Sequence, residues 1–271
     1  MTTIVSSYYL LPGNKKRSIE SYMAWISIFL RYCDSPIVMF SDGEIADSMD
    51  TFRRNLSEKH SKGWKLVRRP LSELYCGSEG ELSYFKKMAE GNTFTSDVVR
   101  IWMNKGFLLK EVTEDNPFST ESFIWCDAGC WRNPEFAARY GPGWPRKISS
   151  LTMSWLDDSL QKIRNMGKAP EDLNDFIDFY RPVIMYKPSV AGGIFGGNRD
   201  IIAKFTEIFK KILDIHVERS LPLDGDQELC CIAALWLEAR GHPVDAYDGC
   251  MPLPPGTDNW FMFQSVLSNT E

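Results

Sequence analysis

The chain has 271 residues, 44% of them hydrophobic, and a formal net charge of -5. This length and apolar content allow one large α/β domain, while the acidic balance and scattered Lys and Arg argue against a nucleic-acid partner. No apolar run approaches the roughly 18 residues of a membrane span, and the N-terminus lacks a signal-peptide pattern. We therefore expect a soluble, cytoplasmic protein with no membrane span.

The cysteine and histidine content argues against two common kinds of structural or metal site. The chain has seven Cys and three His. An odd number of cysteines without a Cys-x-x-Cys pair indicates neither a disulfide framework nor a zinc site. Three histidines are too few to favour a multi-histidine metal site. We therefore expect reduced thiols.

Strand and helix patterns alternate through the first third of the chain. This order is typical of a parallel sheet with crossover helices. The predicted strands cover residues 3–11, 36–41 and 64–69, and the predicted helices between them cover residues 18–32 and 45–60. We therefore predict an α/β fold in which helices flank a mostly parallel central sheet, as in Rossmann-like nucleotide-binding domains.

A further helix and strand lead to a single carboxylate. The helix covers residues 96–111, a polar loop covers residues 113–122, and an apolar run at residues 123–126 ends at Asp127. Such a run is typical of a buried parallel strand. Ligands of open α/β sheets bind outside the carboxyl ends of the strands, which makes Asp127 a candidate site residue. The alternative is an Asp that only begins a turn.

The second half of the chain is less regular. We predict a loop at residues 140–145, a helix at 155–166, a short strand at 183–186, helices at 199–218 and 226–239, and a Pro-rich segment at 251–257. We predict a single domain over residues 1–271. Its first half covers residues 1–130, and its second half covers residues 131–271.

Two other sequence features are candidates for contact with a ligand. Asp97 and Arg100 lie three residues apart on a predicted helix and so share a face, and a guanidinium suits phosphate oxygens. The alternative is a local surface ion pair. Gly192 and Gly193 begin a glycine-rich run that lacks the spacing of a dinucleotide fingerprint. Such glycines indicate either a bulge or a close approach of a ligand to the backbone.

Asp226 is the candidate catalytic acid or base. It lies in the first turn of a predicted helix, between the acidic residues Asp224 and Glu228. Like charges nearby raise the pKa of a carboxylate toward useful basicity. The alternative is a capping box in which Asp224 caps the helix and Gln227 completes it, an arrangement that does not require Asp226.

Taken together, these motifs resemble a GT-A glycosyltransferase, and more closely the HtrL/YibB family, including related glycosyltransferases of large algal viruses. The resemblance runs in order from about residue 3 to residue 236. The motifs that carry it are Ser96-Asp97-x-x-Arg100, Asn116-Pro117-Phe118, Trp125-x-Asp127-Ala128-Gly129, Gly192-Gly193-x-Phe195-Gly196-Gly197 and Asp226-Gln227.

The resemblance implies a nucleotide-sugar-dependent hexosyl- or pentosyltransferase, which moves a sugar from a UDP-sugar donor to a hydroxyl of a glycan acceptor. The nucleotide-sugar-binding half would be residues 1–130, and the acceptor-binding half would be residues 131–271. In an inverting reaction, which is the favoured interpretation, Asp226 would deprotonate the acceptor. In a retaining reaction, Asp226 would position the donor instead. Gly192, Gly193 and Gln227 would contact the acceptor or the donor sugar. The residues implied to bind the donor are Ser6, Tyr8, Tyr9, Asp42, Asp97, Arg100 and Asp127.

The resemblance also implies Mn²⁺ or Mg²⁺ bound by Asp127. A full DxD motif has a second Asp where this chain has Gly129, so diphosphate oxygens, waters, His242 or Asp248 would have to complete the metal shell.

Two other functions fit the same sequence. One is a nucleotide-sugar hydrolase or phosphorylase, and the other is a non-catalytic carbohydrate-binding protein. The sequence leaves the donor sugar, the acceptor and the oligomeric state open.

Overall fold

The computed structural model describes residues 1–11, 17–156, 159–185, 190–223, 225–248 and 252–269, without the side chains of 159–161 and 248. The strands in this part of the chain are β1 (Thr2–Ser7), β2 (Ile37–Ser41), β3 (Trp64–Arg68), β4 (Ser122–Cys126), β5 (Leu151–Trp155), β6 (Ile194–Gly197) and β7 (Val244–Asp248). The helices are α1 (Ile19–Tyr32), α2 (Gly43–Arg54), α3 (Glu58–Lys62), α4 (Glu79–Ala89), α5 (Ser96–Asp115), α6 (Pro134–Tyr140), α7 (Ser159–Arg164), α8 (Leu173–Ile184), α9 (Arg199–Glu218), α10 (Asp226–Glu238) and α11 (Phe263–Val266).

Within the described residues, the seven strands form one sheet in the order β3-β2-β1-β4-β6-β5-β7. β1 pairs in parallel with β2 and β4, and β2 pairs in parallel with β3. β6 runs antiparallel to β4 and β5, while β7 runs parallel to β5. The predicted fold class, a mostly parallel central sheet flanked by helices, is confirmed.

Both faces of the sheet are covered, because alternate strand residues point to opposite faces. Ile4 and Ile124 pack in one apolar cluster with residues of α1, α6 and the C-terminal segment. Val5 and Trp125 pack in the other cluster with residues of α5, α9 and α10. This two-sided burial explains why β4 is an uninterrupted apolar run.

Three sequence predictions of secondary structure are wrong. The predicted helix 45–60 is two helices, α2 and α3, because Asn55 ends the first and Ser57 caps the second through the His60 amide. In the predicted helix 155–166, Trp155 belongs to β5, and the helical residues among those described are the ones of α7. The predicted strand 183–186 coincides with the end of α8, whose buried Ile184 continues a helical apolar stripe; residue 186 lies outside the described part.

Other predictions differ only at their boundaries. The first strand ends at Ser7 rather than Leu11. α5 continues to Asp115, four residues beyond its predicted end, and Asn116 terminates it in the left-handed conformation. Asn198 caps α9 by accepting from the Ile201 amide, in agreement with the predicted helix start. No helix in the described part of the chain is long and apolar enough to cross a membrane.

Candidate active site

The carboxyl ends of β1 and β4 lie side by side at the point where the strand order reverses. From β1 the chain builds β2 and β3 on one side, and β4 pairs on the other side. Ligands of open α/β sheets bind in the crevice at such a switch point. A cavity opens here, lined by the residues after β1, one stripe of α5, part of α1 and the loop after β4.

Asp127 delivers its carboxylate to this cavity directly after β4. The Trp125 indole Nε1 donates to Asp127 Oδ1 at 2.7 Å, and the Asp127 amide donates to the Gly193 carbonyl at 2.8 Å. The Cys130 amide donates to the Asp127 carbonyl, so Asp127 also begins a turn. The side chain is 35% exposed. The two alternatives from the sequence are therefore compatible, because the turn residue faces the cavity.

Lys105 lies between two carboxylates at the base of this cavity. Its Nζ is 3.1 Å from Asp127 Oδ1 and 3.0 Å from Asp226 Oδ2. The same ammonium donates to the Gly192 carbonyl at 3.0 Å. Lys105 is 5% exposed and Asp226 is 3% exposed. The ammonium therefore ties together the end of β4, the turn before β6 and the start of α10.

The protonation of this cluster follows from its burial and its charges. Burial raises the pKa of Asp226, the nearby Lys105 lowers it, and the Asp127 charge raises it further, with a net upward shift. Burial alone would lower the pKa of Lys105, but Asp127 and Asp226 outweigh it and raise that pKa. Lys105 therefore stays charged. The sequence also predicts a raised pKa for Asp226, but it attributes the shift to acidic neighbours. The main cause is burial, and the neighbouring Glu228 pairs with Arg181.

Lys105 was missed by sequence reasoning, although a signal for it exists. Val98, Ile101, Trp102 and Lys105 follow the i, i+3, i+4, i+7 spacing of one helix stripe, and all four line the cavity. A single cation in an otherwise apolar stripe is unusual, because a buried Lys needs a partner. That position, rather than the nearby Asp97 and Arg100 pair, is the one that faces the site.

Of the residues at the end of β1 that are predicted to bind the donor, some line the cavity and one does not. Tyr8 and Tyr9 line the cavity, as does Ser7. Ser6 points to the other face of the strand and donates to the Cys126 carbonyl at 2.6 Å, so its hydroxyl is not directed into the cavity. Tyr9 Oη and Ser7 Oγ are buried and have no hydrogen-bond partner among the described residues.

Three other residues predicted to bind the donor lie outside the cavity lining. Asp97 is exposed on α5. The Arg100 guanidinium is buried and donates to the Ser72 carbonyl at 3.0 Å, so it holds the loop before α4 instead of facing the cavity. Asp42 stands at the N-cap position of α2 and makes no side-chain capping bond.

Asp226 and Gln227 occupy the first turn of α10 but do not line the cavity. Gly225 stands at the N-cap, and no described side chain caps the helix; Asp224, the predicted cap, lies outside the described residues. The buried Asp226 carboxylate lies beneath Lys105. An acceptor hydroxyl must come within hydrogen-bond reach of its base. The structure therefore does not support direct contact between Asp226 and an acceptor.

Gly192 and Gly193 make room for the protein's own carboxylates and rings. A Cβ at Gly192 would lie 2.9 Å from Asp226 Oδ2. One at Gly193 would lie 3.0 Å from the Phe261 ring. Both glycines are buried and absent from the cavity lining. The groups that approach these glycines belong to the chain itself, whereas the sequence predicts a bulge or the approach of a ligand.

The described side chains alone do not complete the predicted metal shell. No group of three or more His, Cys, Asp or Glu there could hold an ion. His242 follows the C-terminus of α10, about 20 Å along the helix from Asp226, and contacts Lys204. The Asp248 side chain lies outside the described atoms. Lys105 lies between Asp127 and Asp226, so these two carboxylates do not fit a divalent cation held between them.

The chain was compared with known proteins. No match was found among curated proteins. Among solved structures, mouse xyloside xylosyltransferase 1 in its apo form matches with a TM-score of 0.43 and 10% identity, over 92% of this chain and 86% of that chain. The family described as "Bacterial protein of unknown function (HtrL_YibB)" matches residues 83–239, more than half of the chain. The chain therefore belongs to the HtrL/YibB family.

Proposed function

We propose that this protein is a glycosyltransferase that moves a sugar from a nucleotide-diphosphate donor to a hydroxyl of a glycan acceptor. A UDP-sugar is the donor class that the sequence resemblance implies. The observation that carries the proposal is the cavity at the β1–β4 switch point, into which Asp127 presents a carboxylate. This is the position at which open α/β sheets bind nucleotides.

The residues after β1 are suited to a nucleoside. Tyr8 and Tyr22 both line the cavity, with ring centroids 5.4 Å apart, and offer aromatic surface to a base. The buried hydroxyls of Ser7 and Tyr9 have no partner among the described residues. Leaving such groups unbonded is costly. A base or ribose in the cavity would supply their hydrogen bonds after a small rearrangement that exposes the two hydroxyls.

The proposed reaction is a substitution at the anomeric carbon of the donor sugar. The acceptor oxygen forms a bond to that carbon, and the bond to the diphosphate oxygen breaks with its electron pair leaving on the diphosphate. The acceptor proton passes to a carboxylate. We assign this base to Asp127, because its side chain reaches the cavity. Asp226 acts through Lys105 and is a positioning residue.

The test is a turnover screen with purified protein and a panel of UDP- and GDP-sugars. Release of free nucleoside diphosphate is followed with and without simple glycan acceptors, and each reaction is run with Mn²⁺ and with EDTA. We expect one donor to be consumed, and an acceptor to accelerate its consumption. The paired Mn²⁺ and EDTA reactions also test the metal dependence that the sequence predicts.

Two outcomes would replace the proposal with another function. Diphosphate release that no acceptor accelerates would identify a nucleotide-sugar hydrolase, or a phosphorylase if inorganic phosphate accelerates it. No release from any donor, together with no donor-induced thermal stabilisation, would favour a non-catalytic carbohydrate-binding protein.

A further inference from the structure

Arg132 lies beside Asp127 and Gly129 in the lining of the cavity. We propose that Arg132, rather than a divalent cation, counters the negative charge of the donor's diphosphate. This inference rests on the proposed function, because it assumes that a nucleoside diphosphate binds in the cavity.

The place that a divalent cation would take between Asp127 and Asp226 is occupied by Lys105. Asp127 and Asp226 both approach Lys105 Nζ to about 3 Å, and the Gly192 carbonyl accepts from it as well. The ammonium hydrogen-bonds to Asp127 and to the Gly192 carbonyl, and it lies at ion-pair distance from Asp226. Lys105 therefore fills the space between the carboxylates, and its charge is already balanced by theirs.

Gly129 stands where a DxD motif has its second carboxylate, and aromatic rings surround this position. A Cβ at this position would lie 3.0 Å from the Tyr22 ring and 3.3 Å from the Trp25 ring. The rings that occupy this space leave little room for an Asp side chain. A cation, not a carboxylate, lies next to this residue, because the Arg132 Nε donates to the Gly129 carbonyl at 3.0 Å.

Arg132 is held by two aromatic rings. Its guanidinium carbon lies 4.7 Å from the Trp25 ring centroid and 4.8 Å from that of Phe261, so two aromatic rings contact the cation. The nearest carboxylate oxygen recorded in the described part of the chain, Asp258 Oδ2, is 3.9 Å from Nη1. The side chain is 40% exposed. Arg132 is thus fixed in orientation while its Nη groups remain accessible.

The geometry suits a diphosphate. A guanidinium presents paired N–H donors that match two phosphate oxygens, and stacking on aromatic rings restricts its orientation before the ligand binds. Its charge cannot be lost at ordinary pH. Arg132 would therefore stabilise the charge that accumulates on the leaving diphosphate, the part that a metal ion plays in many transferases.

The test is isothermal titration of the full-length protein with UDP, GDP and UMP, each in EDTA and again with Mn²⁺. We expect a nucleoside diphosphate to bind in EDTA with an affinity that Mn²⁺ does not raise. Arg132→Gln should weaken UDP binding about 10- to 100-fold and leave UMP binding close to that of the wild type. Arg132→Lys should be intermediate, because it keeps the charge and loses the paired donors.

Arg139→Gln is the matched control, since Arg139 also stacks on an aromatic ring, that of Tyr140, but lies outside the cavity lining. Circular dichroism confirms that each variant is folded. Wild-type binding of UDP that needs Mn²⁺ would overturn the inference and leave the proposed function intact, as would unchanged UDP binding by Arg132→Gln. No binding of UDP or GDP in either condition would overturn both.

Discussion

Lys105 and Asp226 form a buried ion pair that connects the middle of α5 to the first turn of α10. The Nζ–Oδ2 distance is 3.0 Å, and neither side chain is more than 5% exposed. The same ammonium contacts Asp127 at the edge of the cavity. The position of the cavity carboxylate therefore depends on an ion pair in which Lys105 lines the cavity and Asp226 lies buried outside the lining.

Removing one member of this pair should destabilise the fold more than removing both. Lys105→Met leaves the buried Asp226 without its cation, and we expect a loss of about 3–5 kcal/mol. Lys105→Met combined with Asp226→Asn should recover much of that loss, because no unpaired buried charge remains. Urea unfolding of the single and double variants measures the coupling free energy.

Lys110→Met is the control for the loss of a lysine from α5. Lys110 pairs on the same helix with Glu114, and both side chains are considerably exposed. We expect this substitution to cost less than about 0.5 kcal/mol. A Lys105→Met variant as stable as Lys110→Met would contradict the buried pair.

The raised pKa of Asp226 predicts a pH dependence of stability. The folded protein holds the Asp226 proton more tightly than the unfolded chain does, because burial raises this pKa. The contribution of Asp226 to stability is therefore fully present below the ordinary Asp pKa and is lost as pH rises through the raised value. The raised pKa of Lys105 acts only in the alkaline range, since its stabilisation is lost as pH rises through that folded-state value.

The measurement compares wild type with Asp226→Asn by urea unfolding across the acid and neutral range. We expect the free energy of unfolding of the wild type, relative to the variant, to decrease as pH increases and then to level off. The comparison cancels the titration of the remaining carboxylates, to the extent that they are unchanged. An increase with pH would show that the pKa of Asp226 is lowered instead.

Restoring the second carboxylate of the motif should not create a metal-dependent enzyme. Gly129→Asp would place a Cβ 3.0 Å from Tyr22 and 3.3 Å from Trp25, the ring on which Arg132 stacks. We expect a loss of about 1–3 kcal/mol from overpacking, with no gain of turnover on adding Mn²⁺. Gly129→Ala separates the steric effect from that of charge, and Mn²⁺-stimulated turnover by Gly129→Asp alone would contradict this prediction.

The carboxyl end of the strand at which the site lies could be predicted from the sequence, but the burial of each side chain at the site could not. The apolar run of β4 ending at Asp127 indicates a buried strand and its carboxyl end without any tertiary information. Asp226 and Asp127 differ in exposure, however, because α10 packs its first turn beneath Lys105. That contact joins residues far apart in the chain and leaves no periodic signal.

Local patterns also failed where tertiary packing or strand phase decides the outcome. Arg100 follows Asp97 at helical spacing, yet its guanidinium turns toward the carbonyl of Ser72. The strand phase at the end of β1 directs Ser7 rather than Ser6 to the cavity, since alternate residues face opposite sides. A one-residue difference of this kind cannot be read from the strand pattern when both residues are serines.

Arg100 should contribute to stability and not to donor binding. Arg100→Lys cannot reproduce the guanidinium bond to the Ser72 carbonyl, and we expect a loss of about 1–3 kcal/mol from the poorly satisfied groups. The KM for the donor should not change, because Arg100 does not line the cavity. The exposed Asp97→Asn serves as the control and should affect neither quantity. A raised KM with unchanged stability would return Arg100 to the donor site.

Asp127 and Asp226 should differ in the kind of activity they lose. Asp127→Asn keeps an isosteric side chain at the cavity but cannot accept the acceptor proton, and we expect kcat to fall by roughly 10² to 10⁴ with nucleotide affinity largely kept. Asp226→Asn should lower kcat less and should change stability, since its carboxylate contacts Lys105 and not the cavity. Single-turnover rates and urea unfolding of both variants make the comparison. A larger loss of kcat in Asp226→Asn than in Asp127→Asn would assign the base to Asp226, and a conformational change that exposes this carboxylate would then have to precede catalysis.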